Sequence, residues 1–585
     1  MSSTTPRYAA LAGVAAAAAA VGTAELVAAL TGPRSSPLVA VGGLVVDTVP
    51  EPVKRFGIAL FGRYDKIALL VGTALLLGGF AALLGVLATR RLMIGLAGVA
   101  AFAALGAGAA LTRADAAAAA ALPSLIGAAV GGLTLWAFVA GPLELDPWPW
   151  SPPRAAAPTP DSQPGAASVG GPPEAASVGG PPEAASNGGP PEAASNGGPP
   201  EAASNGGPPE AASVGGPVGA EDQRRPGGVA AESRRRFLHG VGTVLGVAAV
   251  GGVAGRWLAG RRGVADARDA IALPAPVSAA RPVPAGADLG TLGLASYVTT
   301  NKSFYRIDTA LLVPQVDPET WRLRIHGRVR NPMTLSYADL LARPMIERYV
   351  TLACVSNEVG GDLIGNARWL GVPIRELLDE VAPLDGADQV VGRSVDGWTC
   401  GTPTAVLRDG RDALLAVGMN GEPLPLAHGF PVRMVVPGLY GYVSACKWIT
   451  ELELTSFADF DAYWVPRGWS AQGPVKTQSR IDTPRPRNRP AAGPVMVAGV
   501  AWAQHRGIRR VEVRVDGGPW QEATLAPTVS VDTWVQWSWR WTATPGEHTL
   551  QVRATDGTGE TQTGQTQDVA PDGATGWHTV AVTIS

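Results

Sequence analysis

Only three cysteines occur in 585 residues, and one of them closes an apolar run. In TLACVSNEVGG, residues 351–361, Cys354 is followed at once by polar and glycine-rich sequence. The stretch RYVTLACVSN has the composition of a strand, so Cys354 is delivered into the loop at a strand end, where scaffolds display reactive groups. Two chemistries are open to a thiolate there. As a nucleophile it needs a histidine base and an orienting acid; His326 and His428 are available, but no local cysteine-protease signature surrounds Cys354. As a soft donor it suits a soft metal centre.

The elements that must position this residue can be read from periodicity. In WRLRIHG, residues 321–327, Trp321, Leu323 and Ile325 alternate with Arg322, Arg324 and His326, the period of a strand. In VPIRELLDEV, by contrast, Ile374, Leu377, Leu378 and Val381 share one helical face. The region is therefore mixed α+β. From about residue 480 the pattern becomes all-β: Val511, Val513 and Val515 alternate before DGG, Trp537, Trp539 and Trp541 alternate, and LQVRATD follows. A segment of ~100 residues with this pattern predicts an immunoglobulin-like sandwich.

Upstream the chain changes character. Four stretches, about 8–31, 66–89, 92–112 and 117–140, are long and apolar enough to cross a membrane, which takes roughly 20 helical residues. Residues 37–49 are apolar but short, as for a re-entrant or interfacial piece. Glu25 inside the first span is costly against lipid and has to face helix partners or mark a small site. The membrane module contains no histidine, which excludes a b-type haem carrier; no C-x-x-C-H motif occurs either, so neither haem nor an Fe–S cluster is expected. From about 170 to 216 the sequence repeats GGPPEAASV or GGPPEAASN with a nine-residue period. Each unit lacks large apolar side chains, so stacking would bury nothing and the segment reads as a disordered tether. The formal net charge is −2 without a long basic run, which excludes nucleic acid as a partner.

After the tether, Ser233, Arg234, Arg235, Phe237 and Leu238 match the S-R-R-x-F-L form of twin-arginine export signals, and a weakly hydrophobic Gly/Ala-rich stretch follows. That pathway exports folded proteins, commonly with a cofactor inserted. Its arginines start in the cytoplasm; an even number of preceding spans puts the N-terminus there too, and everything beyond about 260 outside. No small-residue cleavage site stands out before Arg261, so the segment is expected to remain as a fifth helix. The resulting division is a membrane module (1–145), a linker (146–232), a signal-like anchor (233–262), an α+β domain (290–470) and an Ig-like domain (480–585), in a multi-pass protein of the cytoplasmic membrane with the last two domains extracytoplasmic.

Two blocks then carry a resemblance. IERYVTLACVSNEVGGDLIGNARWLGVPIRELL and GEPLPLAHGFPVRMVVPGLYGYVSACKWITELEL, residues 421–454, are similar, in order and spacing, to the core of the sulfite oxidase family of molybdopterin-dependent oxidoreductases. The resemblance covers about 295–585. It implies that Cys354 is the single protein sulfur on molybdenum, and that His428, Arg433 and Lys447, with Ser444 as a further donor, hold the phosphate-bearing pterin. Asp396 matches an acidic residue that contacts the pterin; it also reads as a turn aspartate before Gly397. SFYRIDT resembles the family's F-V-R-N-H segment, placing Arg306 toward the metal pocket, with a surface arginine on a strand as the other reading. Tyr463 falls near the family's active-site tyrosine. TQSRIDTP resembles the opening of the molybdenum oxidoreductase dimerisation domain, which makes a homodimer plausible.

The departures bear on substrate. Where sulfite enzymes carry arginines after C-x-x-N, this chain has Glu358 and Val359, and Asn-His is replaced by Ile307 and Asp308. Fewer cations bind a small dianion less well, which counts against sulfite. Cys400 and Cys446 are expected to be small buried residues. The expected function is oxo transfer on a small oxyanion or oxide at a Cys-ligated molybdenum, with an external electron carrier. S- or N-oxide reduction with the same cofactor is the alternative, and a non-catalytic surface binding protein is the alternative of another class.

Overall fold

The computed structural model describes residues 5–32, 35–50, 65–112, 116–144, 226–261, 264–485 and 489–585, with three single positions between 50 and 65. The nonapeptide repeat lies outside the described residues.

Among the described residues five helices are long and apolar enough to cross a membrane. They are α1 (Thr5–Thr31), α3 (Asp65–Ala88), α4 (Leu92–Leu111), α5 (Leu122–Val139) and α6 (Pro226–Arg261); α2 (Pro37–Thr48) is too short, as its sequence implied. Helix α1 is central and touches α3, α5 and α6. Small residues let the backbones meet: a Cβ on Gly13 would lie 1.9 Å from the Ala81 carbonyl oxygen, and one on Gly85 2.2 Å from that of Ala9. Glu25 faces inward, where the Ser36 hydroxyl donates to it at 2.5 Å. In α6 the signal-like motif is split by burial. Phe237 is fully buried, edge-on to Tyr8 and Phe138 at 5.7 and 5.2 Å, whereas Arg234, Arg235 and Arg236 are exposed.

The α+β region is built on two sheets. In one, Arg322–Gly327 pairs with Met333–Ser336 antiparallel and Ile449–Thr455 parallel, and Gln389–Ser394 and Thr399–Pro403 continue it. Trp321, Leu323 and Ile325 are its buried face. In the other, Ile346–Ala353 is the edge strand, followed by Ile364–Pro373 and Leu414–Met419; Glu422–Pro423 and Arg433–Val435 both pair with the last of these. The helix Ile374–Val381 buries Ile374, Leu377, Leu378 and Val381, the face that its spacing specified.

Residues 478–584 form two four-stranded antiparallel sheets packed face to face. Val511, Val513, Trp537 and Trp541 fill the core between them, with Val515 and Trp539 at its rim. This sandwich is not a loose appendage: Val500, Trp502 and Trp534 belong to the same buried cluster as Ala353 and Val355.

At that junction His578 is held neutral. The Ile481 N–H donates to its Nδ1 at 2.9 Å, and burial, helped by Arg480 and opposed by Asp482, pushes its pKa down to about 4. An unfolded histidine titrates near ~6.5, so between these values the unfolded chain binds the extra proton and stability rises with pH. The contribution is complete above the unfolded value and is lost as pH falls toward the folded one. The apparent melting temperature of wild type should therefore exceed that of His578→Gln at pH ~7, with the difference shrinking by about pH 4.5; a difference that grows on acidification contradicts the assignment.

Candidate functional site

Cys354 follows directly on the strand Ile346–Ala353, and its loop is closed by its own backbone. The Cys354 N–H donates to the Leu363 carbonyl (2.9 Å), the Asn357 N–H donates to the Cys354 carbonyl (3.1 Å), and Asn357 Oδ1 accepts from the Leu363 N–H (2.8 Å). Asn357, fourth in the C-x-x-N pattern, is thus the staple of the loop. The thiol is buried and accepts a 3.4 Å contact from the Ser356 N–H; burial raises its pKa, and Lys447 counters.

The second sheet carries Arg433 on the strand Arg433–Val435, which pairs with Leu414–Met419 and is separated from the cysteine strand by two strands. Its guanidinium is buried over the Trp369 ring at 5.0 Å and donates to the carbonyls of His428 (3.1 Å) and Met434 (3.3 Å). Burial pushes its pKa down to about 10. Lys447 is almost as buried, over the Trp448 ring at 4.7 Å, and its pKa is pushed down to about 8 by burial, with Asp308 opposing. His428 sits edge-on to Phe304 at 5.6 Å with Nε2 3.1 Å from the Asn301 carbonyl, a geometry in which Nε2–H donates. Burial first, then Arg433, brings its pKa to about 4, so the ring is neutral at pH 7.

Arg306 joins this group through Asp308, whose carboxylate meets Arg306 Nε and Lys447 Nζ, each at 2.7 Å. The Asp308 side chain is only 4 % exposed. Arg306 and Lys447 share the Asp308 carboxylate, and Arg433 acts on Lys447 through its charge, so the group holds three cations to one carboxylate in a mostly desolvated site.

The other expected site residues occupy their own turns. The Ser444 hydroxyl donates to the carbonyls of Tyr440 (2.9 Å) and Leu439 (3.3 Å). Asp396 Oδ1 accepts from the Trp398 N–H at 3.2 Å, the turn geometry; burial raises the Cys446 pKa, and Cys400 and then the Asp396 charge add to it. Tyr463 lies under the Arg467 guanidinium at 3.8 Å, with its N–H on Thr399 Oγ1 at 2.9 Å. Cys400 and Cys446 are buried and free.

Sequence reasoning missed two residues. Asp308 was visible only as a departure from a motif, whereas it bridges two cations. Tyr305, stacked on Phe304 at 5.2 Å, has its phenol pKa raised by burial and then by Cys354, with Arg433 opposing, which places its hydroxyl near both groups. Its position beside Arg306 in SFYRIDT was the available signal.

This donor set fits a molybdenum–pterin cofactor. Among the described residues no group of three or more His, Cys, Asp or Glu side chains could hold a metal ion. A metal on Cys354 therefore has to arrive with most of its own ligands, as one carried by a dithiolene does. The buried cation excess calls for an anion, which a phosphate tail supplies.

The oxidoreductase molybdopterin binding domain family matches residues 310–464, and the bacterial Ig domain family matches residues 478–552. The mitochondrial sulfite oxidase of Rattus norvegicus is 32% identical over 273 residues, 39% of this chain and 50% of that protein. An uncharacterized oxidoreductase, YuiH, of Bacillus subtilis is 33% identical over 159 residues, 27% of this chain and 76% of that protein. The sulfane dehydrogenase SoxCD of Paracoccus pantotrophus aligns with a TM-score of 0.43 at 24% identity, over 50% of this chain and 84% of that one. The chain spans about half the length of the sulfite oxidases that it matches.

The ion-pair geometry makes Asp308 the test of the cluster. Replacing it by Asn leaves Lys447 buried without its carboxylate, which should cost about 3–5 kcal/mol in cofactor-free protein. The expected readout is a lower urea midpoint that millimolar inorganic phosphate partly restores; an unchanged midpoint would mean that the cluster is solvated.

Proposed function

Because the chain belongs to the sulfite oxidase family of molybdopterin-binding oxidoreductases, we propose that it is a membrane-anchored oxidoreductase whose site faces outward from the cytoplasmic membrane. The observation that carries this reading is the buried Cys354 thiol in the field of the buried Lys447, which in turn feels the buried Arg433. Cys354 would supply the protein sulfur to molybdenum. Arg433 and Lys447 would hold the phosphate-bearing end of the cofactor, with His428 as a neutral donor. When bound, the cofactor supplies two-electron oxygen-atom transfer, and an external carrier takes up or delivers the electrons.

The protein's own groups set what can bind. Arg306, anchored by Asp308 and partly exposed, is placed to orient an oxygen of a small oxyanion or oxide. Tyr305 keeps its proton at neutral pH, since burial raises its pKa, and its Oη can donate to that oxygen. Glu358 is exposed and Val359 apolar, so the cysteine loop adds no cation for a dianion. This favours a substrate with less charge than sulfite, and S- or N-oxide reduction is the second reading on the same observation. Ser444, Asp396 and Tyr463 remain proposed for the cofactor and the pocket edge.

The division into a membrane module, a linker, a signal-like anchor, the domain at 290–470 and the sandwich at 480–585 is part of the proposal, as are export by the twin-arginine route and homodimerisation through the sandwich. Four spans before α6 would put Arg7 and Arg234–Arg236 on one side, as the positive-inside rule asks.

Full-length protein purified in detergent should hold about one molybdenum per chain. Cys354→Ser should keep the pterin and lower kcat by roughly 100-fold or more with whichever of sulfite, sulfoxides or N-oxides turns over, while Arg433→Met should lose the cofactor. Protein made with ample cofactor supply that contains no molybdenum would sink the proposal.

A further inference from the structure

The motif TQSRIDTP opens the sandwich, and its arginine reaches out of that domain. Arg480 Nη1 donates to the Gly361 carbonyl at 2.6 Å, in the loop that Cys354 begins and Leu363 ends. The guanidinium is held by Asp482, with Nε on Oδ1 at 2.6 Å and Nη2 on Oδ2 at 3.3 Å; the side chains are 10% and 8% exposed. Asp482 is fixed in turn by the Ala295 N–H, which donates to its Oδ2 at 3.0 Å.

A second hold lies one residue earlier. Gly360 has φ +80° and packs flat on the His578 ring: a Cβ there would lie 2.2 Å from Cδ2 and 2.3 Å from Nε2. His578 is oriented by the Ile481 N–H, the residue next to Arg480. Beside the clamped tip is a cavity of about 280 Å³ lined by Gly360, Asp362, Arg480, Asp482 and Arg485, so a released loop has room to move. The loop is short and closed at its base by the Cys354–Leu363 bond and the Asn357 staple. Displacing its tip therefore changes where the cysteine sulfur sits.

We propose that Arg480 and His578, both from the Ig-like domain, are positioning residues that clamp the Gly360–Gly361 tip and thereby fix the orientation of Cys354. The sandwich thus takes part in setting the metal-ligand geometry. The proposal rests on the reading of Cys354 as the metal ligand for its meaning, though the clamp itself is tested on the thiol.

The test uses cofactor-free full-length protein in detergent and follows iodoacetamide alkylation of each cysteine by mass spectrometry. Arg480→Gln should accelerate alkylation of Cys354 about tenfold by releasing the loop, with Cys400 and Cys446, both fully buried, unchanged. Arg480→Lys, which keeps one donor for the Gly361 carbonyl, should fall between wild type and Arg480→Gln. Gly360→Ala, which pushes the tip off His578 and leaves the Arg480–Asp482 pair intact, should accelerate Cys354 comparably, so the result does not depend on tolerance of a broken buried pair. Cys354 rates within about twofold of wild type in both Arg480→Gln and Gly360→Ala overturn the clamp. Molybdenum content measured on cofactor-supplied protein separates the two ideas. Accelerated thiol chemistry in a chain that never holds molybdenum supports the clamp and removes the cofactor reading, whereas unchanged rates in a chain that does hold it overturn the clamp alone.

Discussion

Burying positive charge without equal negative charge is the constraint around which the C-terminal half of this protein is arranged. A buried, incompletely paired cation costs several kcal/mol, and the lowered pKa values of Lys447, about 8, and Arg433, about 10, express that reluctance. The fold offsets part of the cost locally, with the Trp369 and Trp448 faces, two backbone carbonyls and the Asp308 carboxylate. The remaining excess is a built-in affinity for an anion. Binding to the folded state alone stabilises it, so a phosphate-bearing group at this place would also complete the folding of the domain. Were the chain exported already folded, as proposed, it would gain from such a coupling, because the loaded form would be the stable one.

Much of this organisation is legible in the sequence where one physical signal dominates. Leu323 and Ile325, or Leu377 and Leu378, are buried because alternation and helical spacing admit one solution each. The five apolar helices follow from length and composition, and Pro37–Thr48 falls short of a span by the same rule. Cys354 stands out because a strand ends in it. What cannot be read is anything that depends on residues distant in sequence meeting in space. Asp308 and Lys447 are 139 positions apart, and Arg480 and Gly361 are 119 apart; neither pair leaves a local pattern. Ser444 and Asp396 show the converse case. Their types suit a phosphate or pterin, but a hydroxyl near a tight turn and an aspartate before a glycine also have backbone partners at hand, and in this fold they use them.

The position of the cysteine strand explains why a catalytic domain and a sandwich share one core. Ile346–Ala353 is an edge strand, and an edge exposes backbone donors and acceptors that seek partners. Here the edge is covered in two pieces. Near its start, Ser278 and Val277 bond to Glu347 and Met345; near its end, the Thr351 N–H donates to the Asp532 carbonyl (2.9 Å), and the Thr351 carbonyl accepts from Gln504 Nε2 (2.9 Å). The Trp534 N–H adds a bond to Thr351 Oγ1 at 2.8 Å. Asp532, Gln504 and Trp534 all belong to the sandwich. Thr351, three residues before Cys354, is thus fixed from outside its own sheet, by a domain whose separate presence could otherwise be taken for an accessory. Removing the sandwich would leave the strand that ends in the reactive sulfur as an open edge, with the buried faces of Ala353 and Val355 uncovered. A single soft ligand needs a defined position to hold a metal; were Cys354 that ligand, as proposed, its position would be set jointly by two domains.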